Sequence, residues 1–321
     1  MARSNKRLSS SYYSVVVLFI FCFSPTTQAL DDGSWAYTVD GNAATITGRV
    51  NSCPADVNIP DKVDGYTVTK IGASAFYNAG VMTIKIPSTV LSIGGDAFQG
   101  NLIASVDLPN GLVDIGRGAF HGNVLTNIII PNTVVSIGKE AFSFNKLTSV
   151  VIPNGLTELP DSIFAQNALT SVVIPDSVIT IKRAAFYANA FTSIIIPKNV
   201  KSIGQLAFTY NEAAYYHFEG SRPEIHEEAF GTGLKLKRIT YCDTEGWPGD
   251  ETWLFRARGR DKTLIYPTKD CDGYLPIPEH TFTADIAFVL KGYGGGTAIP
   301  NINSFNAEAQ RVVAALGALS L

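Results

Sequence analysis

The side chains best suited to acid-base or metal chemistry are four histidines, His121, His217, His226 and His280, and they are scattered. His226-Glu227-Glu228 lacks the second histidine, one helical turn away, that completes a zinc-protease helix. Asp270-Cys271-Asp272-Gly273 has the opening carboxylates of a calcium loop without the later ligands and closing Glu, and it reads as a turn. Gly292-Tyr293-Gly294-Gly295-Gly296-Thr297 lacks the Lys of a phosphate-binding loop and reads as a joint. No Ser/His/Asp or Cys/His set can be assembled from spacing, so no catalytic residue, cofactor or metal site is assigned. Of the cysteines, Cys242 and Cys271 are the pair favoured for a disulfide, with an unbridged state the alternative, because both lie towards the C-terminus. Cys53 is expected as a small buried hydrophobe.

The spacing that does organise this chain is of another kind. Phe recurs at 76, 98, 120, 142, 164, 186, 208 and 230, always 22 residues apart. A fixed period in this range marks a solenoid, whose coils are too small to bury a hydrophobic face alone and therefore stack. Equivalent positions then line up in rows along the stack, and a binding surface has to be a row or an end.

One row lies between two inward-facing strand positions: Lys85, Asp107, Ile129, Val151, Val173, Ile195 and His217. It is bordered by Thr126, Thr148, Thr170 and Thr192 and by Asn127, Ser149, Ser171 and Ser193. Parallel strands lie about 4.8 Å apart, so the four aliphatic side chains would form a stripe roughly 15 Å long. Such a stripe is a candidate contact surface. The competing reading is that β-branched residues simply suit a strand.

The elements that hold this row follow from one coil. In Leu147-x-x-Val150-x-Ile152 the alternation and β-branching predict a short strand. Prolines at 87, 109, 131, 153, 175 and 197 close the equivalent strands, since they have no N-H to offer the ladder. The Ala-Phe pair follows in a turn or short helical segment, with the ring filling the interior. Asn101, Asn123, Asn145, Asn167, Asn189 and Asn211 form a polar row, predicted to satisfy backbone groups of their own and the adjacent coil. The glycine row at 72, 94, 116, 138 and 204 is interrupted by Pro160 and Lys182. Since proline fixes a negative φ, the glycines are expected to permit tight contact, with a local bend where they are replaced.

Laid out as Leu-x-x-Ile/Val-x-Ile-Pro-x-x-Val/Leu-x-x-Ile-Gly-x-x-Ala-Phe-x-x-Asn over about 57 to 241, the chain resembles the BspA-like, treponemal-type bacterial leucine-rich repeat surface proteins. The resemblance implies a leucine-rich-repeat solenoid of 22-residue coils, with one parallel β-sheet on the concave face and turns or helical segments on the convex side. It also implies export and a role in adhesion or protein recognition. Residues 30–70, with Trp35, Tyr37, Val57-Asn-Ile-Pro60 and the Asp64-Gly65 turn, look like an N-terminal cap and first repeat, five residues longer between Pro60 and Ile71 than the later coils. Repeats are expected over 71–241. The remainder, 242–321, reads as a C-terminal cap and tail, in which Phe305, Val312, Val313, Leu316 and Leu319 suggest a helix from Ser304 to about Ser320. Trp35, Trp247 and Trp253 all lie outside the regular coils, as sealing residues would.

Residues 1–29 have a cationic start, an apolar run from Val15 to Phe23 and an ending Thr27-Gln28-Ala29, the pattern of a secretory signal. The net charge of -3 becomes about -6 without Arg3, Lys6 and Arg7, which leaves no basic footprint for nucleic acid. No later stretch reads as a membrane span. The expectation is thus a non-enzymatic protein, secreted, at the bacterial cell surface or in the periplasm. Its partner would be a protein or glycan, sought in host extracellular matrix or the producer's own envelope. The alternative is a structural spacer whose C-terminal tail docks to the envelope.

Overall fold

The computed structural model describes residues 30–31, 34–50, 54–213, 215–231, 238–241 and 264–267. The chain starts with an antiparallel cap, in which Trp35–Asp40 pairs with Ala43–Arg49 around Gly41 and with Leu30–Asp31 on its other side. Ala43–Arg49 then pairs parallel with Tyr66–Ile71, converting the cap into the solenoid. The extra residues of the first repeat form a hairpin, Lys62–Val63 against Tyr66–Ile71. Its tip is Asp64-Gly65 with both φ angles positive, 46° and 85°, as a two-residue type I′ turn requires.

About eight coils of 22 residues follow, joined by parallel pairing. Two ladders run through them. The expected one pairs Asp56–Asn58 with Thr83–Lys85, and Asn127–Ile129 with Ser149–Val151. Beyond a bridge from Val151 to Val173, it continues through Ser193–Ile196, Tyr215–Phe218, Arg238–Tyr241 and Leu264–Pro267. The parallel row therefore runs one strand past 241.

A second ladder, not expected from the alternation, joins Tyr66–Ile71, Ser92–Ile93, Asp114–Ile115 and Ser136–Ile137. It resumes with Glu158–Leu159, Thr180–Ile181, Ser202–Ile203 and Glu224–Ile225. The break has a chemical cause. Glycine amides at 94, 116 and 138 donate to Ile71, Ile93 and Ile115 of the preceding coil, and Lys182 donates to Leu159. Pro160, at the same position, has no N-H with which to reach Ile137. Lys182 replaces a glycine without cutting the ladder, so only one of the two substitutions interrupts it.

Between the ladders, the Ala-Phe segment is turn, and no helix occurs among the described residues, which removes the helical option for this side. Residues at 74, 96, 118, 140, 162, 184 and 206, and again at 78, 100, 122, 144, 166, 188 and 210, have left-handed φ angles between 49° and 72°. These reversals direct amides at the next coil instead of along the chain. Ser74, Phe76 and Asn78 donate to Gly95, Ala97 and Gln99, and the pattern repeats upward.

The core is a column of phenylalanines. Successive rings from Phe76 to Phe230 stack with centroids 5.3–5.8 Å apart, within the range of favourable offset stacking. Trp35 closes one end edge-on at 6.4 Å from Phe76, and Tyr216 the other at 4.5 Å from Phe230. The asparagine row works as predicted. Asn145 Nδ2 donates to the carbonyls of Phe142 in its own coil and Phe120 in the previous one, while its Oδ1 accepts the Leu125 amide. Truncating one column ring to Ala would cost roughly 3 to 5 kcal/mol.

Several expectations fall outside the described residues: the 1–29 leader, Cys53, the Cys242 and Cys271 pair, Trp247, Trp253, Asp270–Gly273, His280, Gly292–Thr297 and the 304–320 helix.

Candidate functional site

The predicted row is brought together by the first ladder. Ile129 pairs with Val151 and Val151 with Val173, while Ile195 pairs with His217. Lys85 lies opposite Asn58 at the N-terminal end. Asp107 is exposed, in a coil whose residues 105–107 carry no strand. Register extends the row to Thr240 and Tyr266, two positions not included in the seven. The first is reached one residue late in the repeat, and the second lies past the expected repeats.

Exposure within the row is uneven. Lys85, Asp107 and Val173 are exposed, whereas Ile129, Val151, Ile195 and His217 are half-buried between neighbouring strands. Strands at about 4.8 Å separation shield one another's β-branched side chains, which leaves a stripe of edges and methyl groups. Thr126, Thr148 and Thr192 stand exposed beside it, and Thr148 Oγ1 donates to the Thr126 carbonyl at 3.2 Å. At the C-terminal end, burial lowers the pKa of His217 below its ordinary value and disfavours the imidazolium.

A second apolar row escaped the sequence reading. Leu91, Val113, Val135 and Ile179 are all exposed, Val135 by 59%, and border the second ladder. The Val113 amide donates to Leu91 and the Val135 amide to Val113, which locks the first three in register. The signal was present in the sequence: a 22-residue spacing, each residue following a buried Val90, Leu112, Val134 or Val178. At the turns, His121 lies 5.1 Å from the ring of Phe144, itself exposed and left-handed. Among the described residues no group of three or more His, Cys, Asp or Glu could hold a metal ion, and no helix is long and apolar enough to cross a membrane.

The coil built this way has a recognised counterpart. The family profile "BspA type Leucine rich repeat region" matches residues 69–190 and 157–245, in 6 copies, which is more than half of the chain. The chain belongs to this family. Solved structures with similar folds are bacterial. A leucine rich cell surface protein from Faecalibacterium prausnitzii A2-165 is 22% identical, over 67% of this chain and 89% of that one, with a TM-score of 0.50. A leucine-rich repeat protein from Bacteroides ovatus ATCC 8483 is 24% identical over 65% and 70%, TM-score 0.44. The T. pallidum Leucine Rich Repeat protein is 20% identical over 49% and 85%, TM-score 0.36. No curated protein matches the chain. For a BspA-type solenoid the scaffold is shared and exposed side chains differ, so recognition has to be argued from the rows.

Proposed function

We propose that this is an exported, non-enzymatic recognition protein of the bacterial surface that binds a protein partner through the face of the first ladder. The observation carrying this reading is the in-register alignment of Ile129, Val151 and Val173, which sets aliphatic side chains edge to edge beside rows of hydroxyls. Backbone pairing fixes their spacing before any partner arrives, so binding does not have to order the surface. Export is supported by the leader pattern of residues 1–29, and surface location by the family and by the F. prausnitzii protein's description.

The test is capture of partners by mature protein from host extracellular matrix and from the producer's envelope, repeated with Val151→Glu and Val173→Glu. A carboxylate in the stripe desolvates on contact with an apolar partner, and each change is expected to reduce capture at least about tenfold. Val135→Glu, on the other apolar row, should leave capture intact. Equal capture by wild type and both first-ladder variants would remove this face from consideration. Removing 268–321 should preserve binding, whereas a spacer docking by its tail would lose it.

A further inference from the structure

A notch on the second ladder lies outside both apolar rows. It is an open cleft of about 330 Å³ whose lining includes Lys182, Gly204 and His226. These three residues occupy one position in successive coils, the position that is glycine at 72, 94, 116 and 138. The Lys182 and His226 backbones thus lie roughly 10 Å apart on either side of a coil with no side chain at this position, and Lys182 leans back to Glu158. The coils are also looser here. A Cβ placed on Gly94, Gly116 or Gly138 would approach the preceding backbone to 2.2–2.5 Å, but on Gly204 only to 2.8 Å.

Its polar groups are of two kinds, and they include the carboxylate of Asp161, one repeat before Arg183 and held at 3.2 Å by Lys139. Arg183 is exposed and forms no ion pair among the described residues. Lys182 is held at 2.8 Å by Glu158. His226 accepts the Glu228 amide at Nδ1, 3.1 Å away, so a neutral ring carries its proton on Nε2 as a further donor. On the strand side stand the hydroxyls of Thr180 and Ser202, 3.4 Å apart, and the exposed carboxylate of Glu224. Arg183 suits a carboxylate, which it can grip through two parallel N-H groups. Glu224 and the hydroxyls suit neutral hydroxyl groups and repel a second anionic charge. An acidic peptide presents several carboxylates to Glu224, whereas a sugar with a single carboxylate satisfies both kinds of group. The volume falls at the lower end of ligand cavities, the size of one small ligand.

We propose that this notch binds a carboxylated sugar, a uronic acid unit of a glycan, with Arg183 on the carboxylate and Ser202, Glu224 and His226 on the hydroxyls. The site is independent of the first-ladder face. Full-length protein is titrated by ligand-observed NMR with methyl β-glucuronide and methyl β-glucoside, which differ only in whether the exocyclic carbon is a carboxylate. The glucuronide should bind saturably and the glucoside at least about tenfold more weakly, the weight of one charge-assisted contact. Arg183→Gln and His226→Ala, at exposed positions, should each weaken the glucuronide while unfolding as wild type does. The Val151→Glu and Val173→Glu proteins should bind it unchanged, so loss of the partner on the first ladder and loss of the sugar are separately visible. Equal binding of the two sugars, absence of saturable binding, or indifference to Arg183→Gln overturns the proposal. Tighter binding of a glutamate-rich peptide than of the glucuronide overturns it in favour of a peptide site.

Discussion

His217 ends the aliphatic row, in register with Ile195 on one side and Thr240 on the other, and its ring is half-buried. Removal from water disfavours the charged imidazole, so its pKa is lower in the folded protein than the ordinary 6.5. As pH falls through about 6.5 the unfolded chain takes up this proton first, so the native state loses stability. The loss levels off below the folded value, and above about pH 7.5 the contribution is complete. Melting temperature measured from about pH 8 down to about pH 5 should therefore decline, and His217→Gln should make that decline shallower. An identical pH dependence in the variant would show that this imidazole is not the group responsible. Protonation of the folded protein, which comes only at that lowered value, would also place a cation at the end of the stripe and weaken an apolar partner. Residue identity made this position visible in the sequence, because His follows four aliphatic positions of the row. It could not show the desolvation, which comes from strands on both sides.

At the scale of the element, the glycine row shows what a repeated residue can and cannot reveal. Pro160 within the row argues from sequence alone that a positive φ is not needed there, and Gly94, Gly116 and Gly138 indeed have none. Their role is contact: a Cβ on Gly138 would lie 2.2 Å from the Arg117 amide nitrogen. The left-handed residues are elsewhere, at positions filled by Ser, Asp, Gly, Glu, Ala and Leu in one row and Asn, Gly, Phe, Gln, Ala and Tyr in the other. No residue preference announced them, because amides bonding to the next coil impose that conformation regardless of side chain. The second ladder was hidden for a related reason, since two-residue strands are too short to show alternation. Gly138→Ala should therefore destabilise by about 1 to 3 kcal/mol through overpacking, although alanine normally suits the backbone better. Gly95→Ala, whose Cβ would meet the nearest atom at 3.5 Å, should be neutral or slightly stabilising. Urea unfolding of both proteins checks this, and equal effects would mean that coil spacing adjusts to admit a methyl group.

Across the whole molecule, each coil touches only its neighbours, and the asparagine row makes the consequence measurable. The Phe142 carbonyl accepts from Asn145 in its own coil and from Asn167 in the next, so losing either donor leaves it bonded. Losing both leaves a buried acceptor without these partners. The Asn145→Ala, Asn167→Ala double variant should therefore lose more stability than the two singles together, by about 1 kcal/mol or more. Asn101 and Asn189 share no carbonyl and sit four coils apart, roughly 19 Å. Their double variant should be additive within about 0.5 kcal/mol. Denaturant midpoints with a common slope measure both cycles, and additivity in the adjacent pair would show that water or a shifted backbone replaces the lost donor. This nearest-neighbour logic also separates scaffold from recognition. Interior rows must repeat because each serves the coil beside it, while the row from Lys85 to His217 and the notch at Gly204 can change with only local effects on stability. The positions where the repeat is broken are accordingly free to carry binding chemistry.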